Sequence, residues 1–230
     1  IQKVYTGDEF RALADSERIR LGLRCFTLDN EKDEVPTKCN SGILEIDNLS
    51  VSYKNRTIFS NASFAAARGD IIAVTGRNGS GKSAFLRVLC GLMKEKAGRI
   101  VFDGKPYPYK KRRELCYMTM QDVVHQLFSD SVWEEFSLLN KTVDEQEITK
   151  ILRRLDLLDY KDKHPMTLSG GQKQRLALAV ATLANKDIMI FDEPTSAMGM
   201  KETERIMNLF RTLKKQGKTI LFVTHDLSSV

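Results

Sequence analysis

Eight consecutive residues have the composition of a loop that binds phosphate groups. In the order G-x-x-x-x-G-K-S they are Gly76, Arg77, Asn78, Gly79, Ser80, Gly81, Lys82 and Ser83. Glycines allow the backbone to wrap around a phosphate, and the amides of a helix N-terminus point toward an anion. Lys82 adds a positive charge near the β- and γ-phosphates, and the Ser83 hydroxyl is suited to Mg²⁺. The loop therefore predicts binding of a nucleotide through its phosphates.

A strand must lead into such a loop and a helix must follow it. The apolar run from residue 70 to residue 75 predicts the strand, and the pattern from residue 82 to residue 92 predicts the helix. A glycine-rich turn that matches the loop by chance would need neither element. Because both are present, the sequence favours phosphate binding over a simple turn.

Two adjacent acids follow a second apolar run. Residues 188–191 are Ile, Met, Ile and Phe, which is typical of a buried strand, and Asp192 and Glu193 come directly after them. Acidic residues at the end of a strand can simply be solvated. On the residues alone, a solvated pair and a functional pair both remain open.

A third segment opens a helix at Ser169. The hydroxyl of this residue could cap the helix, with Gly170 and Gly171 as an ordinary turn. The same hydroxyl, the backbone amides and the positive end of the helix dipole could instead serve a second phosphate site. Residues 172–184 are rich in Ala and Leu and predict a long helix that is buried almost all round.

The composition limits the classes of partner. A formal net charge of +6 and a pI of about 9.1 are typical of a mildly basic protein that binds anions. The dense basic run at residues 110–113 is predicted to be an exposed turn, and no nucleic-acid partner is expected. No stretch approaches the roughly 18 apolar residues of a membrane span, so a membrane role would need a partner. The cysteines form no C-x-x-C pair, which argues against a zinc site or a disulfide scaffold.

In their order along the chain, the motifs resemble those of the ABC family of ATP-binding domains, over residues 43–230. The resemblance implies an α/β fold: a P-loop NTPase core with a mostly parallel sheet, an N-terminal antiparallel β subdomain and a helical signature subdomain. The alternation of strand-like and helix-like segments agrees with a parallel sheet covered by helices. The resemblance also implies ATP and Mg²⁺ as cofactors, with Asp192 and Ser83 holding the metal. Glu193 would be the base that activates the attacking water.

Further positions match the family pattern. Tyr53 lies where an aromatic residue stacks on adenine, although a tyrosine in the core of a strand is the alternative. Gln121 follows a predicted strand and resembles the Q-loop glutamine, which contacts Mg²⁺ and couples to the membrane partner. His225 resembles the switch histidine at the γ-phosphate. With Glu193, these last two residues would form the catalytic set. The signature, which would face ATP held by a second ABC domain, comprises Ser169, Gly170, Gly171 and Gln172.

The segment from residue 121 to residue 132 resembles one subgroup of the ABC family in particular. It reads Q-D-V-V-H-Q-L-F-S-D-S-V, which is similar to a stretch of the ATPases of energy-coupling-factor (ECF) and cobalt-uptake transporters. Residues 7–24 are similar to the tail of such a domain, which implies the second half of a tandem protein. Residues 1–41 would then be the tail of a preceding domain plus a linker. Residues 42–230 would be an ABC domain shortened at its C-terminus.

The narrower resemblance implies that ATP hydrolysis powers membrane transport. A vitamin or a metal ion would be taken up through a separate integral membrane subunit. The second ABC domain would lie in the same chain or in a homo- or heterodimer. The protein would be peripheral, on the cytoplasmic face of the cell membrane.

Other kinds of ABC protein are the alternatives. A DNA-repair type carries a long coiled-coil insert, and the 84 residues between Ser83 and Leu168 leave no room for one. A soluble translation-factor type is also a tandem protein and stays open. A half that binds ATP without hydrolysing it is disfavoured by Glu193 and His225. One departure from the family pattern is Gly199, where the D-loop usually has aspartate.

Overall fold

The computed structural model describes residues 23–27, 43–54, 56–139, 143–195 and 198–224. Within these ranges, two sheets and a set of helices follow one another along the chain. The strands are β1 (Leu23–Thr27), β2 (Ile43–Tyr53), β3 (Arg56–Ala67), β4 (Ile71–Thr75), β5 (Ala97–Phe102), β6 (Lys105–Pro106), β7 (Cys116–Thr119), β8 (Ile188–Asp192) and β9 (Thr219–Val223). The α-helices are α1 (Lys82–Leu89), α2 (Arg112–Leu115), α3 (Glu145–Arg154), α4 (Gly170–Ala184) and α5 (Met200–Lys215).

Five strands form a parallel sheet in the order β1-β4-β9-β8-β7. Every residue of β8 and β9 is buried, as is every residue of β4 before Thr75. Strands covered on both faces need apolar residues at nearly every position, which explains the unbroken apolar runs. Because the strands are parallel, the phosphate loop after β4 and the acids at the end of β8 lie at the same edge of the sheet.

The two faces of this sheet pack into different cores. Ile72 and Val74 face a core that the antiparallel sheet and α1 complete. Ile71 and Ala73 face a second core, which α3, α4 and α5 cover. Successive residues of a strand point to opposite faces, so one short strand serves both cores.

Four strands form an antiparallel sheet in the order β3-β2-β5-β6. The predicted architecture of a parallel core, an antiparallel β subdomain and a helical part is therefore confirmed. Strand β5 is not evident from the sequence. Its residues are mostly exposed or half-buried, and Ile100 alone is buried, so the strand has no apolar run to reveal it.

The helical part lies between β7 and β8. From the sequence alone, residues 131–157 read as a single helical stretch with charged faces, but this prediction is wrong. A 3-10 helix spans Glu134–Leu138, and α3 begins anew after Asp144, whose carboxylate accepts a hydrogen bond from the Gln146 amide at 3.0 Å. That side chain is an N-cap, so it starts a separate helix. Among the residues described, no helix is long and apolar enough to cross a bilayer.

Two segments lie in surroundings other than those predicted from the sequence. Arg112, in the basic run predicted to be an exposed turn, is only 2% exposed and pairs with Glu95. Strand β1, from the region assigned to a preceding domain and linker, pairs with β4 from Leu23 opposite Ile71 to Thr27 opposite Thr75. The boundary between residues 41 and 42 stays a prediction, but β1 is part of the same sheet as the phosphate loop.

Candidate nucleotide-binding site

The phosphate loop joins β4 to α1 and rests on β3. Its glycines Gly76, Gly79 and Gly81 have φ angles of 140°, 82° and 102°, a region that side chains disfavour. A Cβ atom at Gly81 would lie 2.7 Å from Ile58 Cγ2 and 3.0 Å from a ring carbon of Phe59. The loop therefore needs glycine here for both its backbone turn and its close packing on β3.

Lys82 places its positive charge inside this loop. The side chain is buried, at 6% exposure, and Nζ donates to the carbonyl oxygens of Gly76 at 2.7 Å and of Arg77 at 3.0 Å. The hydroxyl oxygen of Ser80 is also buried, and no partner for it lies among the described residues. A bound phosphate could accept a hydrogen bond from that hydroxyl, so the loop fits the anion predicted for it.

Asp192 and Ser83 meet beside the loop. Asp192 ends β8 and is 5% exposed, and its carboxylate accepts a hydrogen bond from the Ser83 hydroxyl. Burial raises the pKa of Asp192 above its ordinary value, although the Ser83 hydrogen bond opposes this shift. The negative charge of Glu193 raises the pKa further, and the positive charge of Lys82 lowers it. A carboxylate and a hydroxyl at the loop are the oxygen ligands that Mg²⁺ prefers, so these residues fit the metal.

Glu193 lies next in the chain and is held by Gln121. Its φ angle of 53° is left-handed, which costs a non-glycine residue roughly 1–2 kcal/mol. The side-chain oxygen Oε2 accepts a hydrogen bond of 3.0 Å from Nε2 of the exposed Gln121. The structure thus brings five predicted residues to one edge of the sheet: Lys82, Ser83, Gln121, Asp192 and Glu193.

Tyr53 ends β2, at the tip of the hairpin that continues into β3. Its side chain is 58% exposed, so the alternative of a core tyrosine is wrong. Nζ of Lys54 lies 5.6 Å from the centre of the ring. Since Ile58 of the same hairpin reaches the phosphate loop, an exposed ring here could stack on a base; that role stays a prediction.

The signature residues form the start of α4. Ser169 is the N-cap, and its hydroxyl accepts from the Gln172 amide at 3.3 Å. The Gln172 side chain accepts from the Ser169 amide at 2.8 Å, which completes a capping box. Ser169 and Gly170 are exposed, and the structure does not bring these residues into the group around Glu193. His225 lies outside the described residues.

The sequence profile of the ABC transporter family matches residues 59–196, more than half of the chain. This chain belongs to the ABC transporter family. The ATP-binding protein EcfA1 of the energy-coupling factor transporter of Fusobacterium nucleatum is 34% identical over 198 residues, which are 82% of this chain and 75% of that protein.

Two further comparisons agree with the ABC assignment. A Treponema denticola protein, named as an ABC transporter ATP-binding protein, is 40% identical over 228 residues, or 96% of this chain and 47% of that protein. The chain therefore spans about half the length of that relative. Among solved structures, cbiO1 from Clostridium perfringens, part of the ABC transporter complex cbiONQ, matches with a TM-score of 0.70 at 32% identity. That match covers 81% of this chain and 80% of the other.

Two glutamines of this ABC domain hold the backbone of the site, although the sequence assigns neither of them a role there. Gln126 accepts from the Met120 amide at 2.7 Å and donates to the Met118 carbonyl at 2.9 Å, so it fixes the backbone just before Gln121. Gln174 donates to the backbone carbonyl of Glu193 at 2.6 Å. Gln126 is part of the segment 121–132, and Gln174 stands between Lys173 and Arg175, so neither position has a local sequence signal for these contacts.

Proposed function

We propose that this chain binds ATP with Mg²⁺ at the phosphate loop and hydrolyses it to ADP and phosphate. The observation that carries the proposal is the position of Glu193. Its carboxylate is hydrogen-bonded to Gln121, and the preceding residue, Asp192, is hydrogen-bonded to Ser83 of the phosphate loop. A carboxylate held beside Asp192 and Gln121, at the edge of the sheet that carries the phosphate loop, can act as a base on a water beside the terminal phosphate.

The chain's own residues account for each part of the reaction. Lys82 and the loop amides bind the phosphates, and Ser83, Asp192 and Gln121 supply oxygen atoms for the metal. Bound there, Mg²⁺ would neutralise charge on the phosphate oxygens. Glu193 takes a proton from the attacking water while the water oxygen bonds to the γ-phosphorus. At the same time the bond between the γ-phosphorus and the oxygen that links it to the β-phosphate breaks, which releases ADP. Catalysis of this kind is mostly positioning and charge stabilisation.

The start of α4 is the surface that we assign to a second ABC domain. Among the residues that the structure describes, a Cβ atom at Gly170 would meet nothing within 4 Å, and the φ angle of Gly170 is not left-handed. Neither packing against those residues nor the backbone conformation therefore requires glycine at this position. An incoming phosphate that must approach the backbone amides closely does require it. The partner domain would belong to the same polypeptide or to a second subunit.

The task of the ATPase is inferred from its relatives. One is named as part of an energy-coupling factor transporter and another as part of the complex cbiONQ. We therefore infer that hydrolysis powers uptake of a vitamin or a metal ion through an integral membrane subunit. The chain would be peripheral, on the cytoplasmic face of the membrane, and would not bind nucleic acid.

The test is Glu193→Gln, measured with the partner domain present. Loss of a positioned base should lower the turnover of ATP by about 10²–10⁴-fold. Calorimetric ATP affinity should stay within a few-fold of the unchanged protein, because the phosphate contacts remain. Glu204→Gln, the same change on the exposed side of α5, is the matched control. Near-normal turnover in Glu193→Gln would show that Glu193 is not the base.

A further inference from the structure

The backbone of Glu193 is held by a residue of the signature helix. Nε2 of Gln174 donates a hydrogen bond of 2.6 Å to the Glu193 carbonyl oxygen. Gln174 is 8% exposed. The other buried residues of α4, a helix that the structure describes in full, are Leu176, Ala177, Leu178, Ala179, Val180 and Ala181. An amide side chain among them has one evident task, which is this hydrogen bond.

The carbonyl needs such a donor because of where the chain turns. The φ angle of Glu193 is 53°, so the backbone leaves the extended conformation of β8 at this residue. Its oxygen is no longer in register with the sheet, and the next residue, Pro194, is buried. A buried carbonyl without a partner is unfavourable, and a left-handed residue persists only when its surroundings fix it. Gln174 supplies the donor and so fixes the direction in which the Glu193 side chain leaves the backbone.

The same helix carries the signature at its first turn. Gly170 and Gln174 are four residues apart, which is about 6 Å along a helix axis. Ser169 and Gln172 fix that first turn through their capping box. One short rigid segment therefore joins the surface assigned to the partner's nucleotide with the carbonyl of this domain's own base.

We propose that Gln174 is a positioning residue that ties Glu193 to the signature helix. This inference rests on the proposed function, because it concerns the base of that same site. Gln174 does not touch the nucleotide, and it acts on the reaction through the backbone of Glu193. Removing its donor changes the rate of the chemical step and leaves ATP binding in place.

The experiment is Gln174→Met, assayed with the partner domain present. Methionine has nearly the same length and volume but no donor. We expect kcat to fall about 10- to 100-fold, as a displacement of about 1 Å in a catalytic group produces. KM for ATP should stay within two-fold. The matched control is Thr182→Val in the same helix, where the lost hydrogen bond runs only to Leu178 of that helix. Its kcat should not change.

A second measurement separates positioning from a loss of stability. In a Glu193→Gln background the base is already gone, so adding Gln174→Met should lower the residual rate by less than two-fold. A further 10-fold loss in that background would overturn the proposal, as would an unchanged kcat in Gln174→Met alone. If Gln174→Met does not fold, Gln174→Leu, which also lacks the donor, replaces it. Full ATPase activity of Glu193→Gln would instead refute the proposed function. An inactive Glu193→Gln together with an unchanged kcat in Gln174→Met would refute this inference alone.

Discussion

The ion pair between Arg112 and Glu95 supports the end of the phosphate-loop helix. Two guanidinium nitrogens of Arg112 donate to the two carboxylate oxygens of Glu95, each at 2.7 Å. The same side chain donates to the carbonyls of Val88 at 3.2 Å and Tyr107 at 3.0 Å. The Val88 carbonyl belongs to the last turn of α1, and it also accepts a hydrogen bond of 3.1 Å from the Gly91 amide just past that helix. Arg112→Met would remove all four hydrogen bonds and keep most of the apolar volume.

The size of the loss follows from burial. The side chain of Arg112 is 3% exposed and that of Glu95 is 17% exposed. Removing one partner of a buried pair costs about 3–5 kcal/mol, because the other charge stays behind unpaired. Water can partly reach Glu95, so we expect the lower end, about 3 kcal/mol. That is a large fraction of the roughly 5–15 kcal/mol that stabilises a typical domain.

Urea unfolding followed by circular dichroism would measure this loss on the chain alone. Replacing both residues, Arg112→Met with Glu95→Met, should restore most of the stability, since no charge is left buried. Additive costs in that double-mutant cycle would refute the reasoning, as would a cost below about 1 kcal/mol for Arg112→Met.

The pH dependence gives an independent check. Burial raises the pKa of Glu95, but the hydrogen bonds and charge of Arg112 more than offset this and hold the pKa below its ordinary value. A lowered carboxyl pKa stabilises the folded state above the unfolded pKa, and that stability is lost as the pH falls through the folded value. In the unchanged chain, the contribution of Glu95 should therefore be fully present above about pH 4.3 and be lost as the pH falls further. The cost of Arg112→Met should shrink as the pH falls, because a protonated Glu95 leaves no buried charge behind.

Three further predictions concern the nucleotide site. Lys82→Ala should weaken ATP binding at least about tenfold in calorimetry, since it removes a charge-assisted contact; unchanged affinity would count against the loop assignment. The chain alone should hydrolyse ATP poorly, with specific activity that rises with protein concentration; a high and constant specific activity would mean a self-sufficient site. Gly199→Asp should speed single-turnover hydrolysis at the site built from the partner's phosphate loop and this chain's signature. Inactivating the phosphate-loop lysine of each domain in turn would give the rate of each site separately. Equal rates at the two sites before the Gly199→Asp change would refute this prediction.

The phosphate loop and the acids after β8 could be predicted because their signals are local. The spacing of glycines and lysine around Lys82, and an apolar run before Asp192, are each contained in fewer than ten residues. Parallel pairing then brings the ends of β4 and β8 to one edge, so the contact between Ser83 and Asp192 follows from the fold class.

Long-range hydrogen bonds were not predictable from such patterns. Arg112 stands in a run of four basic residues, and the sequence does not reveal that one of them turns inward to meet Glu95, 17 positions earlier. Gln174 and Glu193 are 19 positions apart, and the acceptor is a backbone carbonyl, which every residue has. The role of such a donor depends on the folded backbone, because the φ angle of Glu193 exposes the carbonyl that needs it.

Strand β1 has a practical consequence for how the protein is prepared. Thr27 is aligned with Thr75, the residue before the phosphate loop, and no other described strand pairs with that side of β4. A polypeptide trimmed to residues 42–230 would lose β1 and leave the N–H and C=O groups of β4 open. Open edges recruit other chains, so the trimmed protein would tend to self-associate through its sheets. Dimers seen by light scattering in such a sample would then form without ATP, and nucleotide-driven pairing is better studied in a protein that retains residues 23–27.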